Sequence, residues 1–125
     1  MLYMCVRYIL LATVLFLGLN EVAEAQTYVV TDPLLDAVIR VDAATGNRTI
    51  ISGDPAGENV GTGADLTSPR AISVAPDGRI VLLDYFEFTT PSIIGIDPIT
   101  GDRSFISGNG AGGGTDFTTP QESMV

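Results

Sequence analysis

Beyond an apolar stretch from Tyr8 to Leu19, the chain alternates short apolar runs with clusters of Gly, Pro, Asp, Ser and Thr. Ala71-Ile72-Ser73-Val74-Ala75 and Arg79-Ile80-Val81-Leu82-Leu83 flank Pro76-Asp77-Gly78, a proline-primed turn ending in a glycine where positive φ is needed. Ser92 to Asp97 and Arg103 to Ser107 form a second such pair. Tyr28 to Asp32, Asp36 to Asp42 and Arg48 to Ser52 have the same character earlier in the chain. β-branched enrichment and period-two alternation predict a strand for each run. Leu34 to Ala44 has respectable helix propensity in isolation, but the matching later stretch contains Pro91, Gly95 and Pro98. Proline and glycine are poor helix formers, so both stretches are read as strands.

That match is one of three. Residues 42–53 (DAATGNRTIISG) and 97–108 (DPITGDRSFISG) share seven of twelve residues at an offset of 55. Gly61-x-Gly63-x-Asp65-Leu66-Thr67-x-Pro69 returns as Gly112-x-Gly114-x-Asp116-Phe117-Thr118-x-Pro120 at an offset of 51, the intervening loop being four residues shorter. Tyr28-Val29-Val30-Thr31-Asp32 corresponds to Ile80-Val81-Leu82-Leu83-Asp84 at an offset of 52. Landmarks in the same order at a nearly constant spacing define a structural repeat of about fifty residues, the size of a propeller blade.

Composition changes the picture at the N-terminus. Arg7, the twelve-residue apolar run and Ala23-Glu24-Ala25 before Gln26 read as a secretory signal over residues 1–25, with an A-x-A cleavage site. The run is shorter than the ~20 residues a bilayer span needs. The expected location is therefore secreted or periplasmic, with no membrane attachment after cleavage. Cys5 leaves with the signal, and the remaining chain has no Cys, His, Lys or Trp. Disulfides, thiol nucleophiles, histidine triads, Cys/His zinc sites and Schiff-base lysines are thereby excluded. Thirteen carboxylates face five arginines, a net charge of −8. Such a surface repels phosphate backbones and anionic lipid, so nucleic acid is not an expected partner.

The string Pro69-Arg70-Ala71-Ile72-Ser73-Val74-Ala75-Pro76-Asp77-Gly78-Arg79-Ile80-Val81-Leu82-Leu83-Asp84 resembles the NHL-type blade pattern P-x-G-I-A-V-x-x-D-G-x-I-Y-V-x-D. It is also similar to blades of the senescence-marker-protein/gluconolactonase-like propellers, with Ala71 where a glycine is usual and Leu82-Leu83 where Tyr-Val-Thr types are usual. The resemblance implies an all-β fold of antiparallel four-stranded meander blades, and the signal read at residues 1–25 is expected to precede it as an N-terminal helix. Residues 26–53 would supply strands b to d of one blade, 69–108 a full blade, and 120–125 the start of the next. Fewer than two blades stand against the four to eight of closed propellers. A truncated propeller is the expectation, with open blade edges available for self-association.

Candidate chemistry follows from the loops. Asp42, Gly46, Asp97 and Gly101 bracket the repeated Asp-x-x-Thr-Gly turns, and Asp77 and Gly78 form the tight turn; a carboxylate here accepts backbone N–H bonds. Asp32 and Asp84 are expected to end their strands in a like manner. The glycine-rich loops are read as flexible connections. Asp84 to Ile94 is longer than its counterpart and carries Tyr85, Phe86, Glu87 and Phe88, either a recognition lip for sugar or peptide or a strand extension whose aromatics pack between blades. By the resemblance, Glu58, Asp65, Asp84, Glu87 and Asp116 share the ligand face. Their oxygen ligands suit calcium or magnesium, with calcium the candidate ion. Asn47-Arg48-Thr49 matches the N-glycosylation sequon.

The leading expectation is an exported propeller module that binds or scaffolds a protein or carbohydrate. One alternative is a piece of a divalent-metal-dependent lactonase-like hydrolase, in which metal-bound water attacks and a carboxylate is the base. The other is a non-functional truncated product.

Overall fold

Alternating side chains in short β-rich runs can bury one face only by stacking sheets, and the computed structural model of the chain shows two of them. It describes residues 26–86 and 90–118. The predicted signal, and the predicted start of a further strand at 120–125, lie outside the described residues.

The first sheet holds three antiparallel strands in sequence order, β1 (Thr27–Asp32), β2 (Ala37–Asp42) and β3 (Arg48–Gly53). The second holds four, β4 (Pro69–Val74), β5 (Ile80–Phe86), β6 (Thr90–Ile96) and β7 (Arg103–Ser107). Leu34 to Ala44 is a turn followed by β2, so tertiary pairing overrides its helix propensity. Among the described residues the one helical element is a 3₁₀ turn at Pro55–Gly57, in the first loop, which is four residues longer than its counterpart.

Both sheets bulge at the same place. Register shifts between Val38 and Ile39 against β3, and between Ile93 and Ile94 against β7. The bulge turns Ile51 inward in the first sheet, where it joins Val38 in the core. Facing them across the junction are Ile80, Leu82, Ile94 and Ile96 of the second sheet, with Leu66 of the connecting loop closing one end. This interior is one shared core between sheets, flanked by partly buried Val29, Ala64, Ile72 and Phe105.

The sheets are also tied by polar bonds. Thr31 Oγ1 donates to the Arg70 carbonyl at 2.7 Å, and Arg40 Nη2 to the Pro98 carbonyl at 3.0 Å. The tight turn between β4 and β5 closes through Gly78 N–H to the Ala75 carbonyl at 2.8 Å, with the Asp77 carboxylate accepting from Arg79 N at 3.1 Å.

Candidate functional site

The repeated turns are built identically. Asp42 Oδ1 accepts from the N–H of Ala44 and Thr45 at 2.9 and 2.8 Å, and Asp97 Oδ1 from Ile99 and Thr100 at 2.7 and 3.0 Å. Gly46 and Gly101 N–H then close the turns on the Asp42 and Asp97 carbonyls. Those bonds stabilise the ionised form, and backbone N–H donation holds both carboxyls below their ordinary pKa. Asp77 is lowered in the same way by the backbone N–H of Arg79.

Asp84 and Asp32 hold equivalent places in the repeat but act differently: Asp32 ends β1, whereas β5 runs on past Asp84 to Phe86. Asp32 caps its own turn, accepting from Leu34 and Leu35 N–H at 3.0 and 3.2 Å. Asp84 is buried and reaches across to the segment entering β4, accepting from Thr67 N at 3.2 Å and Ser68 N at 3.0 Å. Thr67 Oγ1 adds a further bond at 3.2 Å. Burial nevertheless dominates and raises the Asp84 pKa. The two aspartates thus do not end their strands alike, because only Asp84 has a loop folded over it.

That loop is no loose connection. Arg103, buried at the start of β7, threads into it: Nη1 donates to Ser52 Oγ at 3.0 Å and the Val60 carbonyl at 2.9 Å, and Nε donates to the Ala64 carbonyl. Arg103 N–H donates to the Thr62 carbonyl at 2.7 Å, while Thr62 N and Oγ1 both donate to Asp102 Oδ1 at 2.8 Å. The hydroxyl bond from Thr62 is the leading cause that lowers the Asp102 pKa. Close approach demands Gly61 and Gly101 here, since a Cβ on Gly61 would lie 2.0 Å from the Gly101 carbonyl oxygen. The sequence alone did not single out Arg103. Its signal was recurrence: Arg48 and Arg103, two of only five arginines after residue 25, share one repeat position.

Tyr85 stands on β5, half-buried, with the Arg70 guanidinium 5.9 Å from its ring centre. Backbone pairing continues through Phe86 to Thr90, so the hairpin is longer than the predicted strands. Glu87 and Phe88 lie outside the described residues. Among the described residues no three carboxylates stand where they could hold a metal ion, so Glu58, Asp65, Asp84 and Asp116 are not gathered into a centre.

Two hollows remain. A cleft of about 390 Å³ runs beside β6 and β7 past Asp77, Arg79, Asp97 and Asp102, whose carboxylates already serve the fold's own donors. A smaller one of about 90 Å³ is enclosed by the glycine-rich loop between Ser107 and Phe117. Among the described residues no helix is long and apolar enough to cross a membrane. Comparisons of the chain with family models, with curated proteins and with solved structures gave no match.

Proposed function

We propose that the chain is an exported β-propeller module of the NHL or senescence-marker-protein/gluconolactonase-like kind, with a role in binding or scaffolding a protein or carbohydrate. In this reading the first sheet is strands b to d of one blade and the second sheet a complete blade. The observation that carries it is the use of the polar groups. The recurring carboxylates are spent on backbone N–H groups of the fold itself, while Leu34, Val74 and Ile99 stand exposed on the surface. Displayed apolar side chains on a repeat scaffold suit recognition, whereas catalysis needs polar groups left over for a substrate. Export is supported by the pattern of residues 1–25.

The test is made on the chain produced in an exporting host. N-terminal sequencing is expected to begin at Gln26, and calcium is expected to leave the melting temperature unchanged. Calcium-dependent turnover of a lactone would overturn the binding reading in favour of the hydrolase; recovery with Met1 intact would overturn signal cleavage.

A further inference from the structure

The junction between the two sheets is made of two halves, and each half occurs twice. One half is Ser52 with the loop through Val60 and Ala64, which receives Arg103; the other is Gly101-Asp102-Arg103 with the inward face of the second sheet. By the repeat, the receiving half recurs as Ser107 with the loop through Ala111 and Thr115. The inserting half recurs as Gly46-Asn47-Arg48 on the first sheet.

The receiving loop recurs as a shape as well as a sequence. Gly53 and Val60 exchange both N–H bonds, at 3.1 and 2.8 Å, and Gly108 and Ala111 do the same at 3.0 and 2.9 Å. Omission of the 3₁₀ turn therefore leaves the second loop with the same closing bridge. Inside it lies the hollow of about 90 Å³, bordered by Ser107, Ala111 and Thr115, the counterparts of Ser52, Val60 and Ala64, which accept from Arg103.

Burial points the same way on both faces. Ile51 and Leu66 are each 7% exposed at the junction, whereas their counterparts Ile106 and Phe117 are 42% and 38% exposed. Ile80 and Leu82 are buried, whereas their counterparts Tyr28 and Val30 are 53% and 41% exposed. The outward face of each sheet thus carries the side chains that would be covered if the internal junction were repeated.

We propose that the chain docks head to tail on a second copy of itself, Arg48 of one copy seating in the loop hollow between Ser107 and Phe117 of the next. The Arg48 guanidinium would donate to Ser107 Oγ and to the Ala111 and Thr115 carbonyls, as Arg103 does within the chain. Tyr28 and Val30 would cover Ile106 and Phe117. Two contacts differ: Thr62 and Asp102 are replaced by Gly113 and Asn47, so the hydroxyl contribution is lost while a backbone N–H to the amide oxygen is kept, and Asn59, whose Oδ1 accepts from Arg103 Nη2 at 3.5 Å, is replaced by Gly110. Such a contact is heterologous, each copy using a different surface, so it propagates to a ring or an open chain.

Sedimentation velocity of the full chain from an exporting host tests this. Concentration-dependent association is expected, and Arg48→Glu, on an exposed side chain, is expected to weaken it roughly tenfold or more with an unchanged β circular-dichroism spectrum. Tyr28→Glu should do the same through a separate side chain. Ile106→Glu removes the receiving face instead. Arg48→Glu and Ile106→Glu should each be monomeric, yet mixed together they should form a one-to-one dimer, since one intact half survives on each. A chain that stays monomeric at every concentration, a dimer that Arg48→Glu and Tyr28→Glu leave intact, or a mixture that stays monomeric would overturn the proposal.

Discussion

Arg103 and Arg48 hold the same place in a repeated sequence, yet one is buried among carbonyls and a hydroxyl and the other is exposed. The same contrast separates Gly101, pressed beneath the Ile51 carbonyl, from Gly46 in open space. Leu66 and Phe117 complete the pattern. The residues are equivalent and their surroundings are not. A repeat writes both halves of a junction into every unit, and the arrival of a neighbour determines which copy becomes core.

The largest expected effect separates the two arginines. Arg103→Ala leaves Ser52 Oγ and the carbonyls of Val60 and Ala64 without their donor inside a closed junction, and is expected to cost about 3–5 kcal/mol. Arg48→Ala, measured by urea unfolding at concentrations where the chain is monomeric, is expected to stay within about 0.5 kcal/mol of the parent. Equal losses would break the comparison.

The glycines sharpen it. Alanine at Gly101 would place Cβ 2.3 Å from the Ile51 carbonyl oxygen, forcing the sheets apart, whereas at Gly46 nothing lies within 4 Å and only the positive φ opposes it. About 3 kcal/mol is expected for Gly101→Ala against about 1 kcal/mol for Gly46→Ala, read as the difference in unfolding free energy.

The smallest effect is a pH dependence. Asp42, Asp77, Asp97 and Asp102 have carboxyls lowered by donated hydrogen bonds. Their contribution is fully present above the ordinary carboxylate pKa and is lost as pH falls through the lowered values. Asp84 is raised, chiefly by burial, so its charged form disfavours the fold at neutral pH and that cost is relieved on acidification. The melting temperature is expected to fall below the ordinary carboxylate range, with Asp84 opposing the trend. Asp102→Asn removes the junction's own share and is expected to flatten the acid limb slightly; since the counterpart of Asp102 is Asn47, this share belongs to the closed junction alone. An unchanged acid limb in Asp102→Asn would contradict it.

Much of the fold is legible in the sequence. Period-two alternation located the seven strands of the described residues, each within three residues at either end, because a strand with one buried face must alternate whatever surrounds it. The identical Asp-x-x-Thr-Gly turns were legible for a similar reason: their bonds span only a few residues. The extension of β5 through Phe86 was one of two open readings, since aromatics in a long hairpin and in a loop carry the same composition. The unlike roles of Asp32 and Asp84 were not legible, because the Thr67 and Ser68 donors lie 17 and 16 residues from Asp84 in a loop whose path depends on the sheet beneath it.

Short-range physics is therefore what the sequence by itself determined here: the strands, the carboxylate-capped turns and the doubling of the unit. Tertiary structure alone decided that Arg103 is a buried tie, that the glycine-rich loop is its seat, and that Ile51 and Leu66 are core while Ile106 and Phe117 are surface. Local hydrogen bonds depend on neighbours in sequence, which a repeat copies faithfully. Burial depends on neighbours in space, which differ between the two units.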